Sequence, residues 1–116
     1  TIRKIIISTG VVTTLAGTAG VPGSADGTGS AALFTYPYDI TTDGTNLYAV
    51  DTFNNIIRKI VISTGVVTTL AGTAGVQGSA DGTGSAALFR WPEGITTDGS
   101  NLYVADTFNH TIRRIQ

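Results

Sequence analysis

The chain has 116 residues, of which 13% are charged, with seven Lys plus Arg against eight Asp plus Glu and a formal net charge of −1. So even a balance sets up no field that would steer the protein to nucleic acid or an anionic membrane surface, and no apolar run approaches the ~20 residues of a membrane-spanning helix, so a soluble protein is expected. Cysteine is absent, which excludes a disulfide framework and a thiolate site; the absence of methionine and the opening on Thr1 point to an excised, processed or engineered chain.

In chain order, residues 1 to 7 (TIRKIII) read as a β-branched strand, and the turn STG leads to a second strand in VVTTLAG. A Gly-rich stretch of about twenty residues follows between Leu15 and Tyr38, longer than an ordinary loop. Within it SAALF reads as one helical turn capped by Ser30, as its copy would be by Ser85. Four strands come next, a (38 to 42), b (46 to 51), c (56 to 62) and d (66 to 71), a meander. Asp43-Gly44 and Asp98-Gly99 supply the positive φ angles of tight hairpins, and Asn54-Asn55 and Asn109-His110 mark the b to c reversals.

The sequence then starts again. Sliding it by 55 aligns residues 1 to 55 with 56 to 110 at 44 of 55 positions, and residues 111 to 116 (TIRRIQ) open a third unit. A fixed period of this size is the mark of a solenoid, a propeller or an array. Strand c carries Ile56, Arg58, Ile60 and Ile62 on one face and Ile57, Lys59 and Val61 on the other, so both faces need cover. Radial stacking of four-stranded blades provides it.

The segments YPYDITTDGTNLYAVDTFNNIIRKI (36 to 60) and WPEGITTDGSNLYVADTFNHTIRRI (91 to 115) resemble NHL repeats, with a proline before strand a, the DG hairpin, then NLYVADTFNH and IRR in order. The preceding ADGTGSAALF is similar to bacterial members with long blades. The resemblance implies an all-β fold of β-propeller blades, most often six to a ring. Its members include protein-binding and sensor domains and some lyase or lactonase relatives. Asp39 departs from the pattern, which Gly94 follows.

Strand order reads c-d, a-b-c-d, a-b-c, two four-stranded blade equivalents with one complete. Two blades cannot close a ring, and open sheet faces and edges invite association. A head-to-tail homotrimer would give the family's usual six blades, a tetramer eight and a dimer four. Residues 1 to 7 and 111 to 116 both spell strand c, so one copy must be displaced, frayed or used elsewhere. The expected function is that of a non-catalytic structural repeat protein that assembles with itself. The alternative is a propeller binding module that engages a protein or glycan.

The units differ at eleven positions, four of them at Thr35, Tyr36, Tyr38 and Asp39 against Arg90, Trp91, Glu93 and Gly94. This window precedes the innermost strand, where aromatic rings beside charges could hold a sugar or a peptide side chain. Tyr36, Tyr38, Asp39, Arg90, Trp91 and Glu93 are therefore the candidate ligand residues. The plainer reading is that they fill a rim between blades. GSADGTGS lacks the Lys-Ser/Thr ending of a phosphate loop, and Asp26 and Asp81 are expected to accept from loop amides rather than bind calcium. Asp51 and Asp106 are expected to accept within the b to c turn. Arg58, Lys59, Arg113 and Arg114 read as edge or surface charges. One histidine, His110, and one glutamate argue against a metal centre or an enzyme, and no cofactor is implied.

Overall fold

A computed structural model describes residues 1–116 and contains ten strands and four single-turn 3-10 helices. β1 (Ile2–Ile5) and β2 (Val12–Ala16) form a two-stranded hairpin. After the two-residue strand β3 (Gly27–Thr28) come β4 (Pro37–Thr42), β5 (Asn46–Asp51), β6 (Ile56–Val61) and β7 (Val66–Ala71). These four make the expected meander, and β3 adds a fifth strand outside β7. β8 (Gly94–Thr97), β9 (Leu102–Asp106) and β10 (Thr111–Ile115) form a three-stranded sheet. Every strand pair is antiparallel.

The two-sided pattern of β6 explains the stacking. Ile57 joins Val50, Ala71, Phe89, Ile95, Leu102 and Val104 in one core, between the central sheet and β8–β10. Ile60 joins Ile2, Ala16, Phe34, Ala49 and Val67 in the other, toward the β1–β2 hairpin. Each buried Val, Ile or Phe contributes roughly 1.5–3 kcal/mol, so the central sheet is held from both sides by the same kind of force. The two units differ here in a transposition: Ala49-Val50 in the first becomes Val104-Ala105 in the second. Val50 and Val104 thereby enter one core, while Ala49 belongs to the other.

The long connectors are not loose. Each sends an alanine and a phenylalanine inward, Ala32 and Phe34 to one core and Ala87 and Phe89 to the other. A length that reads as a loop is thus part of the packing. Single 3-10 turns do form at Gly29–Ala31 and Gly84–Ala86, but Ser30 and Ser85 lie inside them, with Thr28 and Thr83 at the cap positions and no side-chain cap bond. What Ser30 and Ser85 supply is a carbonyl, which accepts from Thr18 Oγ1 at 2.8 Å and Thr73 Oγ1 at 2.9 Å respectively.

The hairpin turns also differ in detail from expectation. Only Gly44 and Gly99 adopt positive φ there, not the aspartates. Asp43 instead accepts from the Thr45 N–H at 2.9 Å, the Asn46 N–H at 2.7 Å and the Tyr48 hydroxyl at 2.8 Å, and Asp98 repeats the pattern with Ser100, Asn101 and Tyr103. In the b to c turns Asn55 and His110 take the left-handed conformation, at φ 59° and 58°. Gly72, at φ +93°, is the tightest glycine of these seams, since an added Cβ would lie 2.7 Å from the Asn55 carbonyl oxygen.

Candidate functional site

Two of the candidate aromatics, Tyr36 and Trp91, lie with Phe53 and Phe108 in a row that crosses from one sheet to the next. Tyr36 meets Phe53 at a ring-centroid distance of 4.4 Å, Phe53 stacks on Trp91 at 5.0 Å, and Trp91 meets the edge of Phe108 at 4.9 Å. Tyr36 and Trp91 sit at the same place in each unit and share a left-handed backbone, φ 54° and 46°, which turns the ring toward the b to c turn. All four rings remain partly open to solvent. Phe53 and Phe108 were not among the expected site residues. Their repetition in DTFN was visible, but nothing in the sequence tells which face of the turn they occupy.

The row is fastened by polar bonds that run between the sheets. The Trp91 N–H donates to Asn55 Oδ1 at 2.8 Å, and Thr52 Oγ1 donates to the Pro92 carbonyl at 2.6 Å. Asp39, the departure from the repeat pattern, bridges the inner strands: its Oδ2 accepts from the Ile95 N–H of β8 at 2.9 Å, and its Oδ1 accepts from its neighbour Ile40 N–H at 2.9 Å. The β4 register shifts between Pro37 and Asp39, so the strand is irregular where that carboxylate turns aside. Of the six candidates, Tyr36 and Trp91 are drawn into one row and Asp39 into the seam. Tyr38 lies apart, beside a notch of about 260 Å³ lined also by Thr1, Arg3, Pro37 and Ile40. Arg90 and Glu93 are anchored by their backbones, Arg90 N–H to Asp106 Oδ1 and Glu93 N–H to the Ala105 carbonyl, with their side chains outside any hydrogen bond or ion pair of the chain.

The charged residues of the sheets behave otherwise than expected. Arg58 is no edge charge. It is fully buried, donating from Nη1 to Asp51 and the Leu33 carbonyl at 2.8 Å each, and from Nη2 to the Ala25 carbonyl at 2.8 Å and Asp26 at 3.0 Å. Its guanidinium lies 4.8 Å from the Phe34 ring centroid. Arg113 repeats the arrangement with Asp106, Asp81 and the Leu88 and Ala80 carbonyls. The folded connector and the end of β5 together bring two carboxylates and two carbonyls to the Nη groups of Arg58, while its buried Nε is left without an acceptor.

Asp26 and Asp81 therefore accept from guanidinium groups rather than from loop amides, and Asp26 accepts also from Thr69 Oγ1 at 3.0 Å. Asp51 and Asp106 do accept within their turns, from Asn54 and Asn109 Nδ2, and extend that role to the connector N–H groups of Thr35 and Arg90. Burial pushes the Asp51 carboxyl above its ordinary range, against the pull of its Asn54, Thr35 and Arg58 donors. Asp43 and Asp98, held by backbone N–H donors on the open surface, lie well below the usual carboxylate range. No three His, Cys, Asp or Glu side chains gather into a group that could hold a metal ion.

A second cleft, about 550 Å³, opens beside β10, lined by Leu70, Asp81, Gly84, Phe89, Ile112 and Arg113 among others. In the central sheet the equivalent space is filled by β7. The two ends of the molecule thus lack complementary strands.

Comparison with known proteins places these features in a group. No protein-family model matches the chain. It is 33% identical over 123 residues to human NHL repeat-containing protein 2, covering 97% of this chain and 17% of that protein. A solved structural genomics protein of unknown function from Bacteroides thetaiotaomicron superposes with a TM-score of 0.87 at 33% identity, over 97% of this chain and 28% of the other. An auxiliary nutrient binding protein from the same organism superposes at 0.79 with 26% identity, over 98% of this chain and 31% of the other. The chain thus spans less than a third of each of these relatives.

Proposed function

From the premise that this chain belongs to the NHL-repeat family, we propose that it is a non-catalytic structural module, two blade equivalents that close into a symmetric β-propeller by head-to-tail association with copies of itself. One observation carries the reading. The seam between its two sheets is built from positions that recur, uncovered, at its two ends, with His110 and Gly94 there in place of the seam's Asn55 and Asp39. Asn55 is 2% exposed at the seam while its counterpart His110 is open. Ile95 is 7% exposed while its counterpart Ile40 is 42% exposed. Phe108 and Thr107 stand where Phe53 and Thr52 stand at the seam, and Tyr36 and Pro37 where Trp91 and Pro92 stand. Each end is one half of a contact the chain already makes internally, and a head-to-tail contact of this kind closes into a ring when the rotation allows.

Three chains of 11.9 kDa give six blades and an assembled mass of about 36 kDa, four chains about 48 kDa. Light scattering on the purified chain tests the proposal: a mass near 36 kDa supports the trimer, and a stable, well-ordered monomer of 11.9 kDa sinks it.

A second reading rests on the open aromatic row. Tyr36, Tyr38, Asp39, Arg90, Trp91 and Glu93 would serve as a face for a protein or glycan ligand, a role in keeping with the nutrient binding relative. The geometry narrows it. Phe53 has Tyr36 on one side and Trp91 on the other, so it offers a ligand its edge and not a face. A glycan array with the parent chain and Trp91→Ala separates the readings, since only the binding module loses a signal.

A further inference from the structure

A ring of copies meets an obstacle at every junction. β10 and β1 are both c strands, spelled TIRRI and TIRKI, and only one can lie between the b strand β9 of one copy and the d strand β2 of the next. Building on the self-assembly reading above, we propose that β1 of the incoming copy takes the c position beside β9 and that β10 is released, so that Arg3 of the second copy replaces Arg113 in the grip of Asp106 and Asp81.

Three observations favour β1. First, Ile2 is 7% exposed within the core it shares with Phe34 and Ile60, whereas Ile112 of β10 is 74% exposed. Removing β1 from its own chain would uncover that core, whereas β10 gives the other core only the half-buried Ile115, and its Arg113 is the group that Arg3 would replace. Second, β1 is tied to β2 by four register pairs and by a turn closed through Ile6 N–H to the Val11 carbonyl and Gly10 N–H to the Ile6 carbonyl. That hairpin enters the junction whole and supplies the missing d strand with the c strand.

Third, Arg3 is exposed and has no carboxylate partner in its own chain, while the arginines at its position in both following strands are ion-paired. The connector around Asp81 and Asp106 is the receptor it lacks. The same movement fills the 550 Å³ cleft with β2, where Thr14 stands to Asp81 as Thr69 stands to Asp26. It also seats β9 in the notch at Pro37–Ile40 and brings Phe108 against Tyr36 of the second copy, extending the aromatic row across the junction.

The test compares the assembled mass by light scattering across a concentration series for the parent chain, Arg3→Ala, Arg113→Ala and a chain lacking residues 111–116, with circular dichroism to confirm that each is folded. The proposal expects Arg113→Ala and the shortened chain to keep the assembled mass, and Arg3→Ala to raise the concentration needed for assembly by about tenfold or more. Assembly that survives Arg3→Ala, or that is lost with Arg113→Ala or with residues 111–116, overturns the strand exchange while leaving self-assembly standing. A parent chain of 11.9 kDa at every concentration removes both.

Discussion

Arg58 and Arg113 make the same set of bonds in two different settings. Arg58 lies under β7, its side chain fully covered, with Asp26 48% exposed and tied also to Thr69. Arg113 has no strand beyond it, and its partner Asp81 is 95% exposed. Identical chemistry therefore carries different weight, because the fourth strand removes the water that would otherwise compete for the ions. The contrast extends to the molecule: its repeated parts match at 44 of 55 positions and are unequal in cover.

The largest expected effect follows from that contrast. Arg58→Ala leaves Asp51 buried without its cation and should cost about 3–5 kcal/mol in urea denaturation. Arg113→Ala also leaves a buried carboxylate, Asp106, without its cation, but Asp81 is open to water, so it should cost less than Arg58→Ala while still exceeding about 1 kcal/mol. Equal losses would show that the fourth strand is not what sets the strength of the pair.

Glycines give the next comparison. Gly72→Ala forces a Cβ within 2.7 Å of the Asn55 carbonyl oxygen at φ +93°, inside the central seam, whereas Gly17→Ala, at φ +97°, meets Thr1 Cα at 3.0 Å and the Phe34 ring at 3.3 Å. The first should lower stability by more than about 1 kcal/mol and by more than the second, read from thermal unfolding. A smaller effect is expected at Asp39. Asp39→Gly, which restores the repeat pattern, deprives the Ile95 N–H of its acceptor and should cost about 1 kcal/mol.

The smallest effect is a pH dependence shared by both hairpins. The Asp43 and Asp98 carboxyls lie below their unfolded value, so the stability they contribute is complete above pH ~4 and is lost as the pH falls further. Melting temperatures of the parent chain, Asp43→Asn and Asp98→Asn at pH 7 and pH 2.5 check the sign, since either variant should flatten the acid-side loss.

Strand order and the two-sided faces of β6 were legible because period and β-branching report directly on pleat and burial. The role of Arg58 was not. In sequence it sits among isoleucines beside Lys59, and what makes it a core residue is the arrival of Ala25, Asp26 and Leu33 from a connector that carries no strand signal. Asp39 stood out as a departure from the repeat, yet its partner Ile95 N–H is 56 residues away and is set by the distance between neighbouring sheets. Tyr36 and Trp91 were singled out together, but the phenylalanines that join them depended on a left-handed backbone at two non-glycine positions, which side-chain identity does not announce.

In the proposed ring, the transposed pair Ala49-Val50 and Val104-Ala105 would set a preferred line of fracture. Two valines fill the boundary inside each chain, and the same arithmetic leaves Ala105 of one copy and Ala49 of the next to fill the boundary between chains. Each copy–copy boundary of that ring would thus be four side-chain carbons poorer than the internal one. Heat or dilution would part the wheel into whole chains before it opened any chain along its own middle.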